Sequence, residues 1–148
     1  MAMTLLATPA EVIELSFIQD EVTPMYTGVI LDTFIKAAEE RFIKPLISPP
    51  LYKAVYADPV TFAALIEEIK PCQAYYTKLL SLNDFLYSED ANFKDLSSDA
   101  KKQLLKSTQN IADALAKSLI AYIKSNHPTL YTPPSKKRVA GLLLITSH

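Results

Sequence analysis

Glycine is nearly missing: the 148-residue chain holds only Gly28 and Gly141. Tight hairpins draw on residues that tolerate positive φ, chiefly glycine, so a sheet-rich fold is disfavoured. A glycine-rich phosphate loop is excluded outright. Cysteine is reduced to Cys72, which rules out an internal disulfide and a thiolate metal cage. A lone thiol suits a reducing compartment, where Cys72 reads as a small buried apolar residue. The two histidines, His127 and His148, lack the helical spacing of a metalloprotease pair. No local signature joins Cys72 to His127 as nucleophile and base.

Charge of one sign is also missing. Fifteen basic residues face sixteen acidic ones, for a net charge of −1. A protein that grips nucleic acid through many phosphates carries a basic excess, so broad nucleic-acid binding is not expected. No basic stretch or long apolar run precedes Pro9, as a secretory signal would require. The late apolar stretch from Gly141 to Ile145 is far shorter than the roughly twenty residues that cross a bilayer. The expectation is a soluble, non-enzymatic chain made in a cytoplasm, with no cofactor and no membrane contact.

What is present is proline and helical periodicity. Ten prolines mostly sit where helices would start or stop. Thr8-Pro9-Ala10-Glu11 carries a capping box with proline at the first helical position, predicting a short helix from Pro9 to Ser16. Val12, Ile13 and Phe17 would share its inner face. From Val29 to Lys44, Ile30, Leu31, Phe34, Ile35, Ala38, Phe42 and Ile43 recur in steps of three and four. Lys36, Glu39, Glu40, Arg41 and Lys44 mostly fall on the other side, and Pro45 is expected to stop this helix.

Ile47-Ser48-Pro49-Pro50 reads as a rigid turn before one or two helical turns from Leu51 to Tyr56. Asp58-Pro59 is a second start signal, for a helix reaching about Lys70. Pro71 would then kink it or open a new one. From Cys72 to Tyr87 the apolar set is Ala74, Tyr75, Leu79, Leu80, Leu82, Phe85 and Leu86. Ser88 to Ser97 reads as a loop. Ser98 would cap a last helix running to about Ser125, with Leu104, Thr108, Ile111, Leu115, Leu119, Tyr122 and Ile123 as its core stripe. Leu105, Ala112 and Ile120 would widen it. The fold class is therefore all-α: a helical bundle of about four to five helices with a short one at the N-terminus. An extended C-terminal arm follows. The division falls at residues 1–131 for the bundle and 132–148 for the arm.

Few residues suggest chemistry. The acidic pairs Glu39-Glu40, Glu67-Glu68 and Glu89-Asp90 read as solvated surface, because adjacent acids on a helix point to different azimuths rather than across a cleft. Tyr75-Tyr76, Phe85 and Tyr87 have only Lys78 nearby, so core packing or a protein interface fits better than base stacking. His127 reads as a helix C-terminal residue favoured by the dipole.

The arm is the exception. Lys136, Lys137 and Arg138 form a basic cluster suited to phosphate or to an acidic partner surface. Val139, Leu142, Leu143, Leu144 and Ile145 follow at the chain's end, where an apolar run should not stay in water. The proline spacer Pro133-Pro134 gives reach away from the helices. Burial against a neighbouring subunit, as a strand or plug, is expected in preference to folding back on its own core.

One stretch carries a family likeness. Phe34-Ile35-Lys36-Ala37-Ala38-Glu39-Glu40-Arg41-Phe42-Ile43-Lys44-Pro45-Leu46-Ile47, followed by Leu51-Tyr52, resembles head–tail connector (adaptor) proteins of tailed phages and prophages of Bacteroidetes. Ring proteins of crAss-like phages are among them. Ile120-Ala121-Tyr122 near the end of the long helix also fits. The resemblance implies a helical virion protein at the head–tail junction, a homo-oligomer in a twelve-fold ring under the portal. Its C-terminal arm would pack on the portal or a neighbouring subunit, with tail proteins as further partners. DNA would pass through the lumen without sequence-specific contact, which a near-neutral charge suits. Where relatives usually have glycine in the turn, this chain has Ser48-Pro49-Pro50, so a different turn is expected. The alternative is a small helical regulatory or DNA-associated protein-interaction module, with Lys136 to Arg138 as its phosphate contact.

Overall fold

The computed structural model describes residues 6–16, 32–85 and 97–132. These form an all-α bundle with no strand among the described residues. The helices are α1 (Pro9–Ser16), α2 (Asp32–Ala38), α3 (Lys44–Ile47), α4 (Pro49–Ala57), α5 (Ala63–Phe85) and α6 (Ser98–Asn126). A π turn, Glu39–Ile43, joins α2 to α3, so these two act as one rod and the bundle has five rods among the described residues.

Local chemistry sets several ends. The capping box at α1 is complete: Thr8 Oγ1 accepts from the Glu11 amide at 3.2 Å, and Glu11 Oε1 accepts from the Thr8 amide at 3.0 Å. At α6 the cap lies one residue earlier than expected. Ser97, not Ser98, accepts from the Ala100 amide at 3.0 Å and keeps extended backbone angles. His127 ends that helix as expected, its amide donating to the Ile123 carbonyl at 2.7 Å.

Pro45, expected to end a helix, does not, and Pro71, expected to kink one or open a new one, opens none. The rod continues past Pro45 to Ile47. A proline lacks its N–H and its ring presses on the carbonyl four residues back. The wider π turn just before it, in which the Lys44 amide reaches the Glu39 carbonyl five residues back, relaxes that crowding. Pro71 lies inside α5, which stays one continuous helix of 23 residues. The carbonyl it deprives belongs to Glu67, a residue exposed to solvent. Asp58 does not start a regular helix at Pro59. Its carboxylate takes the amide and hydroxyl of Thr61, and α5 begins only at Ala63.

α5 is the centre of the bundle, packed on α6 along one side and on α1 and α2 along the other. That explains why its buried residues run almost consecutively, Cys72-Gln73-Ala74 and Tyr76-Thr77-Lys78, with no single apolar stripe. Its main seam with α6 is built on small residues. Ala112 and Ala116 are fully buried, and Cys72 Sγ approaches the Ala112 carbonyl at 4.0 Å. The buried line of α6 is Thr108, Ala112, Ala116, Leu119 and Ile123. Ala116 is absent from the expected stripe, and Ile111, expected within it, is 44% exposed. The large expected members Leu115 and Tyr122 sit half-buried at the flanks; only small side chains fit at Ala112 and Ala116, where α5 comes close, while Leu119 and Ile123 are buried farther along the line.

A second, smaller core of Ala7, Val12, Ile35, Ala74 and Leu82 lies under α1. Val12 and Ile13 face it as expected, while Phe17 lies outside the described residues. The predicted helix start at Val29 and the predicted loop from Ser88 as far as Leu96 also lie outside them.

Candidate functional site

The residues singled out in the arm lie outside the described residues: Lys136, Lys137, Arg138, Val139, Leu142, Leu143, Leu144 and Ile145. What the structure places is the root of the arm. After α6 the chain turns back, and the Tyr131 amide donates to the His127 carbonyl at 3.3 Å. The Tyr131 ring is buried in the main core. Ser48 then fastens the chain on both sides of that ring. Its hydroxyl donates to the Leu130 carbonyl at 3.3 Å and accepts from the Thr132 amide at 3.2 Å. Thr132 therefore lies beside the junction of α3 and α4.

Ser48 is itself unusual, with φ 78° and ψ 144° and only 1% exposure. The extended ψ follows from Pro49, which bars its predecessor from the helical region. The positive φ is one that glycine adopts freely and a residue with Cβ adopts at a cost of about 1–2 kcal/mol. Serine in place of glycine thus does not by itself demand a different turn. Replacing Ser48 tests which effect dominates. Ser48→Ala keeps the strain and loses both hydrogen bonds, for an expected loss of about 1–2 kcal/mol in denaturant unfolding. Ser48→Gly loses the bonds but relieves the strain, and should exceed the alanine variant by about 1 kcal/mol. A glycine variant less stable than alanine contradicts the strain argument.

A short distance along the rod lies a group that the sequence pattern assigns to the surface. Glu39 is 2% exposed, not solvated as expected for the Glu39-Glu40 pair. Its carboxylate is fully engaged. Oε1 accepts from the Leu6 amide at 2.8 Å, and Oε2 accepts from the hydroxyls of Tyr52 at 3.1 Å and Tyr56 at 2.6 Å. The π turn positions it, and Tyr52 and Tyr56, four apart on α4, share one face. A sequence signal existed: Glu39 sits midway between Ile35 and Ile43 at four-residue spacing, on the buried line. The other acidic residues differ. Glu40, Glu67 and Glu68 are exposed as expected, and Glu89-Asp90 lies outside the described residues.

Burial, and after it the neighbouring Glu39 carboxylate, pushes the Tyr52 hydroxyl up to about 12. Tyr56 is raised further by burial and by its bond to Glu39, Tyr76 by burial and the adjacent Cys72 and Asp113, and Tyr131 by burial. An unfolded tyrosine ionises near pH 10. Between that pH and each folded value the native state holds more protons than the unfolded one, so stability is intact below about pH 10 and falls as pH rises. The expected result is a steep alkaline loss of stability, with phenolate absorbance from these four rings appearing only on unfolding. Early ionisation of all tyrosines in the folded chain contradicts it.

Two lysines clamp α1 along α5. Lys70 Nζ donates to Glu11 Oε2 at 2.6 Å, near the start of α1. Lys78, buried to 5% exposure, donates to the Ser16 carbonyl at 2.8 Å at its end and lies 5.8 Å from the Tyr75 ring centre. A cation at a helix C-terminus meets carbonyls that lack partners. Burial works to raise the Glu11 pKa, but the bonds to Lys70 and Thr8 outweigh it and leave it lowered.

Burial, and then Asp113, raises the Cys72 thiol well above its usual range, away from the nucleophilic thiolate. His127 lies against the rings of Phe62 and Tyr122 at 5.4 and 6.3 Å. No group of three or more His, Cys, Asp or Glu among the described residues is placed to hold a metal ion. No described helix is long and apolar enough to cross a membrane. Comparison with known proteins returned no matching family model, no matching curated relative and no matching solved structure.

Proposed function

We propose that this chain is a structural virion protein, a subunit of a head–tail connector ring that joins portal to tail. The carrying observation is the pair of hydrogen bonds by which Ser48 holds Leu130 and Thr132. It ties the root of the arm to the same unit that bears the connector-like motif, since residues 34–52 form one rod, its turn and the start of α4. In this reading the bundle makes contacts between copies in a twelve-fold ring. The basic cluster Lys136 to Arg138 and the apolar run from Val139 to Ile145 dock on the portal or on the next copy. DNA passes through the lumen without sequence-specific contact, and the protein resides at the head–tail junction.

The test starts from the gene neighbourhood, where a portal gene is expected, and continues with co-expression of the full chain and that portal protein, followed by mass determination and electron microscopy. The expected result is a stable complex containing rings, lost when residues 139–148 are removed. Unchanged portal binding by the shortened chain overturns the docking role. A chain that stays solitary beside the portal overturns the ring.

A further inference from the structure

Charge is unevenly divided along the chain. α6 carries five lysines against two aspartates, a net +3, so with an overall −1 the remainder carries −4. Four of those lysines, Lys102, Lys106, Lys117 and Lys124, are exposed. Their spacings of 4, 11 and 7 residues place them within about 60° of one another around the helix at 3.6 residues per turn. They form one line of about 33 Å at 1.5 Å per residue. None of the four takes part in an ion pair among the described residues. Both aspartates of α6 share that line: Asp99 is exposed at its N-terminal end, one turn before Lys102, and Asp113 is half-buried and accepts the Tyr76 hydroxyl at 2.9 Å.

The rest of the exposed face narrows the partner. Gln103, Ser107, Gln109, Asn110, Ser118 and Ser125 are exposed on α6, together with the apolar Ile111, Ala114 and Ala121. Such polar side chains and lysine together bond phosphate and sugar. Protein interfaces are instead built around aromatic residues and methionine and are poor in lysine. No aromatic residue is exposed on α6, so bases of a single strand would find nothing to stack on. The helix also has no arginine, the residue best suited to read guanine edges. A straight array of about 33 Å matches one turn of duplex, about 34 Å.

We propose that the exposed lysine line of α6 is a sequence-independent contact for the phosphate backbone of double-stranded DNA. It is distinct in sequence from Lys136, Lys137 and Arg138, and it does not need the ring, since these four lysines are exposed in the single chain. Within the connector reading it would mark the helix that meets the passing DNA.

The experiment is fluorescence anisotropy of a labelled random-sequence duplex with the full chain across a salt series. The compared variant carries Lys102→Gln, Lys106→Gln, Lys117→Gln and Lys124→Gln. These residues are exposed, so the fold should persist by circular dichroism. A matched set of Lys→Arg changes keeps the charge and controls for any loss of structure. The expected result is salt-sensitive binding that the glutamine variant weakens at least tenfold at low salt, while the arginine variant retains it. The slope of log affinity against log salt should become shallower by about 3.6, or about 0.9 for each phosphate no longer neutralised. The proposal is overturned by absence of duplex binding at low salt, or by binding unchanged in the glutamine variant. It is also overturned if only mutation of Lys136 to Arg138 abolishes binding, or if polyglutamate competes for the chain as well as duplex does. A chain that joins a portal yet ignores duplex sinks this proposal and leaves the ring reading intact.

Discussion

Replacing Glu39 with alanine should cost about 3 kcal/mol of stability, more than any other single polar change among the described residues. The reasoning starts from the donors left behind. The Leu6 amide is buried and would have no acceptor, which costs about 1–3 kcal/mol. The Tyr52 and Tyr56 hydroxyls are only part-buried, so water can reach them and their loss is smaller. The void left by the side chain adds to the cost. For a chain of this size each kcal/mol lowers the midpoint by about 2–4 °C, giving a fall of about 6–12 °C. Glu39→Gln should lose less, since an amide oxygen still serves one donor set and a tyrosine hydroxyl can turn to accept from its NH2.

Stability alone would not show that the carboxylate holds the N-terminal segment in place, so a local readout is needed. Leu6 and Ala7 are buried, and the hydrogen bond from the Leu6 amide to Glu39 bridges 33 residues of sequence. In the alanine variant, hydrogen exchange at residues 6–16 should accelerate well before exchange in α5 and α6 does. An alanine variant within about 0.5 kcal/mol of the parent, with Leu6 still protected, would remove this account.

Glu39 also marks where sequence reasoning runs out. Local signals are legible because they act over three or four residues. The Thr8–Glu11 box and the stop at His127 need nothing beyond their own segment. The all-α class is legible for a similar reason, since helical periodicity and scarce glycine are properties of the chain itself. Burial of polar groups is not, because it depends on a partner from far away. Lys78 is buried because α1 ends above it, and Glu39 because Tyr52, Tyr56 and Leu6 converge on it. Prolines mislead for the opposite reason. The local cost of Pro45 points to a helix end and that of Pro71 to a kink or a new start, yet a π turn precedes the first and the second lies within one continuous helix. In α6 the apolar pattern is wide enough to hide its true midline, and close packing selects Ala112 and Ala116 over Ile111. Of the candidate site, the arm's composition is legible and its anchoring through Ser48 is not.

Tyr76→Ala should be the most damaging core substitution, with an expected loss of about 3–5 kcal/mol. One ring joins three elements here. It stacks on Phe42 of the π turn at 4.4 Å between centres and 6° between planes. It stands on α5, and its hydroxyl donates to Asp113 Oδ1 of α6 at 2.9 Å. The ring is 1% exposed, so truncation leaves a void bordered by three helices that cannot all close on it. Tyr76→Phe separates the ring from the hydroxyl. It keeps the stack and loses one bond to a half-buried carboxylate that water can reach, so the expected cost is about 1 kcal/mol. The ratio of the two losses, read from denaturant midpoints with unchanged slopes, decides between packing and hydrogen bonding as the tie across these elements. Equal losses for alanine and phenylalanine would mean that the hydroxyl bond to Asp113, not the stacked ring, binds the π-turn rod and α6 to the central helix.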